Sequence, residues 1–132
     1  MHLICLALGG ALGTLARYGL SGWILSLSDP RFPWGTLAVN LLGSLALGFT
    51  VRATEFAPLA PELRGLLTVG FCGAFTTFST LSYETVTLAQ DGAWTRAALY
   101  AFGSLGIGIA AMLAGSSLGT LVSRFAGLVP AG

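Results

Sequence analysis

Apolar residues run along this chain in four long blocks, covering approximately residues 3–27, 34–53, 63–90 and 94–123. Polar and helix-breaking clusters separate them: SDPRFPWG, RATEFAPLAPE and DGAW. A helix rising about 1.5 Å per residue crosses a hydrocarbon core of about 30 Å in roughly 20 residues, so each block is long enough to span a bilayer. The pattern predicts an all-α membrane protein, a single domain over residues 1–132 with four transmembrane helices. No loop is long enough for a soluble domain. The opening MHLICLALGGALGTLARYGLSGWIL lacks a basic leader and is interrupted by Arg17, so it reads as a retained first helix rather than a signal peptide.

The third block is longer than a membrane requires, roughly 42 Å if drawn as one helix. Within it lies GAFTTFST, residues 73–80, with four hydroxyl side chains and no charge. Gly70 and Gly73 weaken a helix just ahead of Thr76 and Thr77, whose hydroxyls suit the start of a new half-helix because they accept from free backbone amides. The expectation is a third helix broken at this point. The alternative is an unbroken helix in which each hydroxyl bonds to a carbonyl of the preceding turn. A break exposes carbonyls that suit a cation and amides that suit an anion.

Composition agrees with the block pattern: 55% of the residues are hydrophobic, 8% are charged, and the net charge is +1. That balance argues against a nucleic-acid partner. Cys5 and Cys72 fall within apolar runs and read as unpaired thiols. The 19 glycines recur at helical spacing, as in GGALG and GSLALG, and predict close helix packing within the chain and against another copy. Arg52, Arg64 and Arg124 fall on one side of the membrane, and Arg31, Arg96 and Arg17 on or toward the other. With so little bias the chain is expected to insert in both orientations and pair as an antiparallel dimer; one fixed orientation is the alternative.

Polar residues at membrane depth belong against protein or a water-filled cavity. They are Arg17 in the first block, Asn40 in the second, Glu84 in the third, and Tyr100 and Ser104 in the fourth, where Tyr100, Ser104 and Gly108 share one helix face. Hydroxyls, an amide and a guanidinium can all donate hydrogen bonds, which favours an anion over a cation. Phe75 and Phe78 can add positive ring edges, with plain packing as the alternative. Trp23, Trp34 and Trp94 lie near the block ends as interfacial anchors. His2 is the single histidine and stands at the terminus, and no nucleophile has a base at useful spacing, so the chain does not read as an enzyme.

GGALGTLARY, WGTLAVNLLGSLALG and GFCGAFTTFSTLSYE resemble, in order and spacing, the Fluc or CrcB family of fluoride channels, and the likeness covers nearly the whole chain. The resemblance implies an antiparallel, dual-topology homodimer of four-helix subunits in the cell membrane, with two fluoride pores. It also implies a structural Na+ at the dimer centre, not transported, held by backbone carbonyls at the helix break, here those of Gly73 and Thr76. By the same likeness Asn40 is the pore asparagine, Phe78 a pore-facing ring, and Ser79 and Thr80 the hydroxyls beside it. Tyr100 and Ser104 form the fourth-helix polar track, Arg17 stands near a vestibule, and Glu84 lies close to the pore. Leu81 and Gly108 depart from the pattern, at positions where a second phenylalanine and a serine are usual.

The implied activity is passive, fluoride-selective conduction that lowers cytoplasmic fluoride. Asn40, Ser79, Thr80, Tyr100 and Ser104 would replace the water that the ion sheds. Two other readings stay open on the residues alone. One is a small multidrug-type, proton-coupled exporter built around Glu84. The other is a non-transporting assembly subunit whose glycines and polar residues only join helices.

Overall fold

The computed structural model describes residues 1–128, which form helices joined by short turns. α1 is His2–Leu27 and α2 is Trp34–Phe56. The third span opens as α3, Pro61–Gly65, with proline at its start and Glu62 in its first turn, both favourable at a helix N-terminus. It widens into a π-helical segment, Leu66–Cys72, and returns to α geometry as α4, Gly73–Phe75. After two extended residues it resumes as α5, Phe78–Gln90. α6, Trp94–Phe125, is the last helix among the described residues. Four segments are thus long and apolar enough to cross a membrane, and they match the four apolar blocks with slightly longer ends.

The interior is built from small and polar residues. Val39 and Tyr100 are the largest fully buried side chains, and much of the remaining core is Gly, Thr, Ser and Ala. Large apolar side chains face outward: Phe102 is 76% exposed although Tyr100, two residues earlier, is 1% exposed. This inversion follows from the solvent. Lipid gives helices no hydrophobic reason to associate, so they join where small residues let backbones touch.

Two such contacts position everything else. α2 and α6 make the most extensive contact in the chain. A Cβ on Gly48 would lie 2.3 Å from the Met112 carbonyl oxygen, and one on Gly115 would lie 2.1 Å from that of Leu45. No residue larger than glycine fits either place without moving a helix. On the other side, GGALG in α1 sets Gly9 and Gly13 against the π-helical segment, where an added Cβ would meet the Leu66 and Phe71 carbonyl oxygens, each at 2.3 Å. The first half of the third span therefore packs on α1, and α5 leans on α6.

Candidate functional site

The third span is broken, as expected, and the two hydroxyl roles weighed in the sequence fall to different threonines. Thr76 and Thr77 are extended, with ψ of 156° and 117°. Thr77 caps α5, its Oγ1 accepting from the Thr80 amide at 3.2 Å. Thr76 does not cap; its hydroxyl donates back to the Cys72 carbonyl at 3.0 Å.

Asn40 of α2 holds the break open. Its Oδ1 accepts from the Thr77 amide at 2.7 Å while its Nδ2 donates to the Thr77 carbonyl at 3.1 Å. One side chain thus satisfies both backbone groups that the helix loses at this residue, in a setting where unpaired groups are costly. Gly43, one turn further along α2, makes the approach possible, since a Cβ there would lie 2.4 Å from Thr76 Cγ2. Because the Thr77 amide turns to Asn40 and the Thr80 amide to Thr77, neither returns to the helical acceptors four residues earlier, Gly73 and Thr76. No backbone amide among the described residues is bonded to those two carbonyls.

Around the break the hydroxyls form a small cluster. Thr77 Oγ1 donates to Thr80 Oγ1 at 2.9 Å, and the Ser79 hydroxyl stands 3.3 Å from Thr77 Oγ1. Ser79 is exposed, and Phe78 is 81% exposed on the outer side of the same turn.

One turn further along α5, Glu84 accepts from two neighbours, Thr36 Oγ1 at 2.9 Å and the Tyr100 hydroxyl at 2.5 Å. A phenol has one proton to donate, so Tyr100 spends it on Glu84. Phe32 packs edge-on against the Tyr100 ring, with centroids 5.4 Å apart. Ser104, one turn further along α6, is also buried, yet its Oγ has no hydrogen-bond partner.

These contacts reveal a register. Thr36 and Tyr100 meet at Glu84, Ser44 Oγ lies 3.8 Å from where a Cβ of residue 108 would be, and Gly48 meets Met112. α2 and α6 therefore run parallel and in step. Thr36, Asn40 and Ser44 face Tyr100, Ser104 and Gly108 as successive rungs, about 6 Å apart along each helix. Sequence reading found the α6 side of this ladder and Asn40, but missed Thr36 and Ser44. The signal was present, since all three α2 residues stand four apart on one helix face.

Two grooves flank the break and share Thr77 in their walls. The larger, about 790 Å³ and open on one side, is lined by Asn40, Ser44, Phe78, Leu81, Ser104 and Gly108 among others. The smaller, about 470 Å³, is lined by Thr14, Arg17, Ser21, Thr36 and Thr80 among others. Arg17 is the one charged residue lining either groove among the described residues, and its buried Nε has no hydrogen-bond partner. The expected site residues thus divide. Asn40, Phe78 and Ser104 line one groove, Arg17 and Thr80 the other, and Glu84 with Tyr100 closes the ladder between helices.

What the arrangement offers is a set of hydrogen-bond donors beside one cation, in grooves free of carboxylates among the described residues. Comparison with known proteins agrees with it. The family model described as "CrcB-like protein, Camphor Resistance (CrcB)" matches residues 4–116. A protein of Thermus thermophilus named fluoride-specific ion channel FluC is 50% identical over 116 residues, which is 88% of this chain and 91% of that protein. Proteins of the same name from a Roseiflexus species and from Agrobacterium fabrum are 43% and 42% identical, covering 89% and 90% of this chain and 96% of each relative. Neither the proton-coupled exporter nor the assembly subunit finds support in these matches. With four apolar spans and this likeness over most of its length, the chain is a multi-pass membrane protein of the CrcB family.

Proposed function

We propose that this chain is a fluoride-specific channel of the cell membrane, conducting the ion passively and lowering its cytoplasmic concentration. The observation that carries the reading is the pairing of a groove containing Arg17 with a second, largely apolar and uncharged groove in which Asn40, Ser44 and Ser104 supply polar groups, the two meeting at Thr77. Arg17 draws anions toward the membrane interior. Hydroxyl and amide donors then stand in for the water that fluoride sheds, without binding it so tightly that it stays. An interior-negative potential favours outward movement by about 2.3 kcal/mol per charge per 100 mV.

The active unit on this reading is an antiparallel dimer. Phe78 is 81% exposed and the larger groove is open along one side, so in a single chain the path would lie against lipid. A second copy in the opposite orientation gives it a wall. The near balance of arginines across the membrane, noted in the sequence, allows both orientations.

A structural sodium at the dimer centre fits the donor set. The Gly73 and Thr76 carbonyls lack amide partners, and hard oxygen donors of this kind suit Na+. Such an ion would hold the two helix breaks together and supply positive charge beside the path.

The test is anion efflux from liposomes containing purified protein, read with fluoride and chloride electrodes. Rapid fluoride loss with chloride retained supports the reading. Equal loss of both removes the selectivity, and loss of neither removes the channel.

A further inference from the structure

The α2–α6 ladder has three polar rungs, and the third is built differently from the others. At the first, Thr36 and Tyr100 both donate to Glu84. At the second, Asn40 is engaged by the backbone of Thr77, opposite the buried and unpartnered Ser104 hydroxyl. At the third, α6 has no side chain: Gly108 stands where a Cβ would find nothing within 4 Å except Ser44 Oγ at 3.8 Å. Ser44 is half-buried in the wall of the larger groove, and among the described residues its hydroxyl has no hydrogen-bond partner. Most other serine and threonine hydroxyls on these spans bond to a carbonyl of the preceding turn or to another side chain, as Ser82, Thr85, Thr68 and Thr120 do. A free hydroxyl beside a glycine gap, one turn beyond the unpartnered Ser104, extends the line of available donors along the groove.

We propose that Ser44 is a fluoride-coordinating, selectivity-determining residue, and that α2 supplies through it the hydroxyl that α6 lacks at Gly108. The proposal rests on the fluoride-channel reading and deepens it. The space in front of Gly108 is the ion's position at this rung: Ser44 Oγ borders it at 3.8 Å from where a Cβ of residue 108 would be, and a hydroxyl rotor can turn its proton toward an ion there. The hydroxyl comes from the opposite wall, yet stands close to where a serine at 108 would place its own.

That substitution logic sets the experiment. Fluoride and chloride efflux from liposomes is measured for the wild type, Ser44→Ala, and Ser44→Ala with Gly108→Ser. A hydrogen bond to an ion contributes enough that its loss should slow fluoride efflux about tenfold. Moving the hydroxyl to the facing helix should restore most of the rate. If Ser44→Ala conducts like the wild type, the proposal is overturned while the channel reading stands. If the rate falls and Gly108→Ser does not restore it, Ser44 acts through packing and the proposal is likewise overturned. If the wild type carries no fluoride, the channel reading fails and takes the proposal with it. Should Ser44→Ala not be recovered folded, Gly108→Val carries the test by filling the space before the hydroxyl. Slowed fluoride efflux then supports the proposal, and unchanged efflux overturns it.

Discussion

The two ends of the ladder between α2 and α6 use similar side chains to opposite effect. At the Glu84 end, the Thr36 and Tyr100 hydroxyls are bonded to one carboxylate and both residues are buried. Two turns on, the Ser44 hydroxyl faces a glycine, and the buried Ser104 hydroxyl between has no partner. A satisfied buried group rigidifies the structure around it, whereas an unsatisfied one costs roughly 1–3 kcal/mol unless a ligand takes it up. The first end is therefore built to hold helices in register, and the second is left with donors to offer. Polar residues in a membrane interior are of two kinds, and their partners distinguish them.

Breaking the register removes the contrast altogether, and it should have the largest effect. Gly48→Leu puts a side chain where even a Cβ meets the Met112 carbonyl at 2.3 Å. Overpacking usually costs about 1–3 kcal/mol, and more where backbone must move. The expected outcome is loss of monodisperse protein on size exclusion, together with all flux.

Unpinning the helix break comes next. Asn40→Ala strands both the amide and the carbonyl of Thr77. At about 1–3 kcal/mol for each unpaired group, the variant should unfold at clearly lower temperature in detergent and lose fluoride efflux in the same preparation. Retained stability with lost efflux would instead assign Asn40 to the ion alone.

A milder change sharpens the comparison at its closed end. Glu84→Ala deprives the Thr36 and Tyr100 hydroxyls of their common acceptor, while Glu84→Gln keeps one acceptor oxygen. Thermal stability should fall in the order wild type, Gln, Ala. Identical behaviour of Gln and Ala would show that the carboxylate charge, rather than its hydrogen bonds, holds the rung.

Much of this was legible in the residues. Block length and apolarity gave four spans, because a bilayer imposes a length that a sequence cannot conceal. The excess length of the third block, with Gly70, Gly73 and paired threonines, located the break to within a residue. What could not be read was how the threonines divide the work. Thr77 caps and Thr76 bonds backward only because Asn40 takes the Thr77 amide, a contact 37 positions away in the chain. The π-helical stretch Leu66–Cys72 was equally hidden, since it has no residue signature and packs on Gly9 and Gly13 of α1. Ser44 and Thr36 were overlooked for a simpler reason. Serine and threonine are common in membrane helices, and only the parallel pairing of α2 with α6 shows which ones face the ladder. Gly108 looked like a gap in the fourth-helix track until that pairing set Ser44 opposite it.

The central claim is that, along the α2–α6 ladder, the free hydroxyls serve the ion and the bonded ones serve the fold. Ser104→Ala tests it directly, by measuring fluoride efflux from liposomes and thermal unfolding on one preparation. Removing a buried hydroxyl that has no partner should leave the unfolding temperature unchanged or raised, while fluoride efflux falls about tenfold. A lowered unfolding temperature with efflux unchanged would contradict the account.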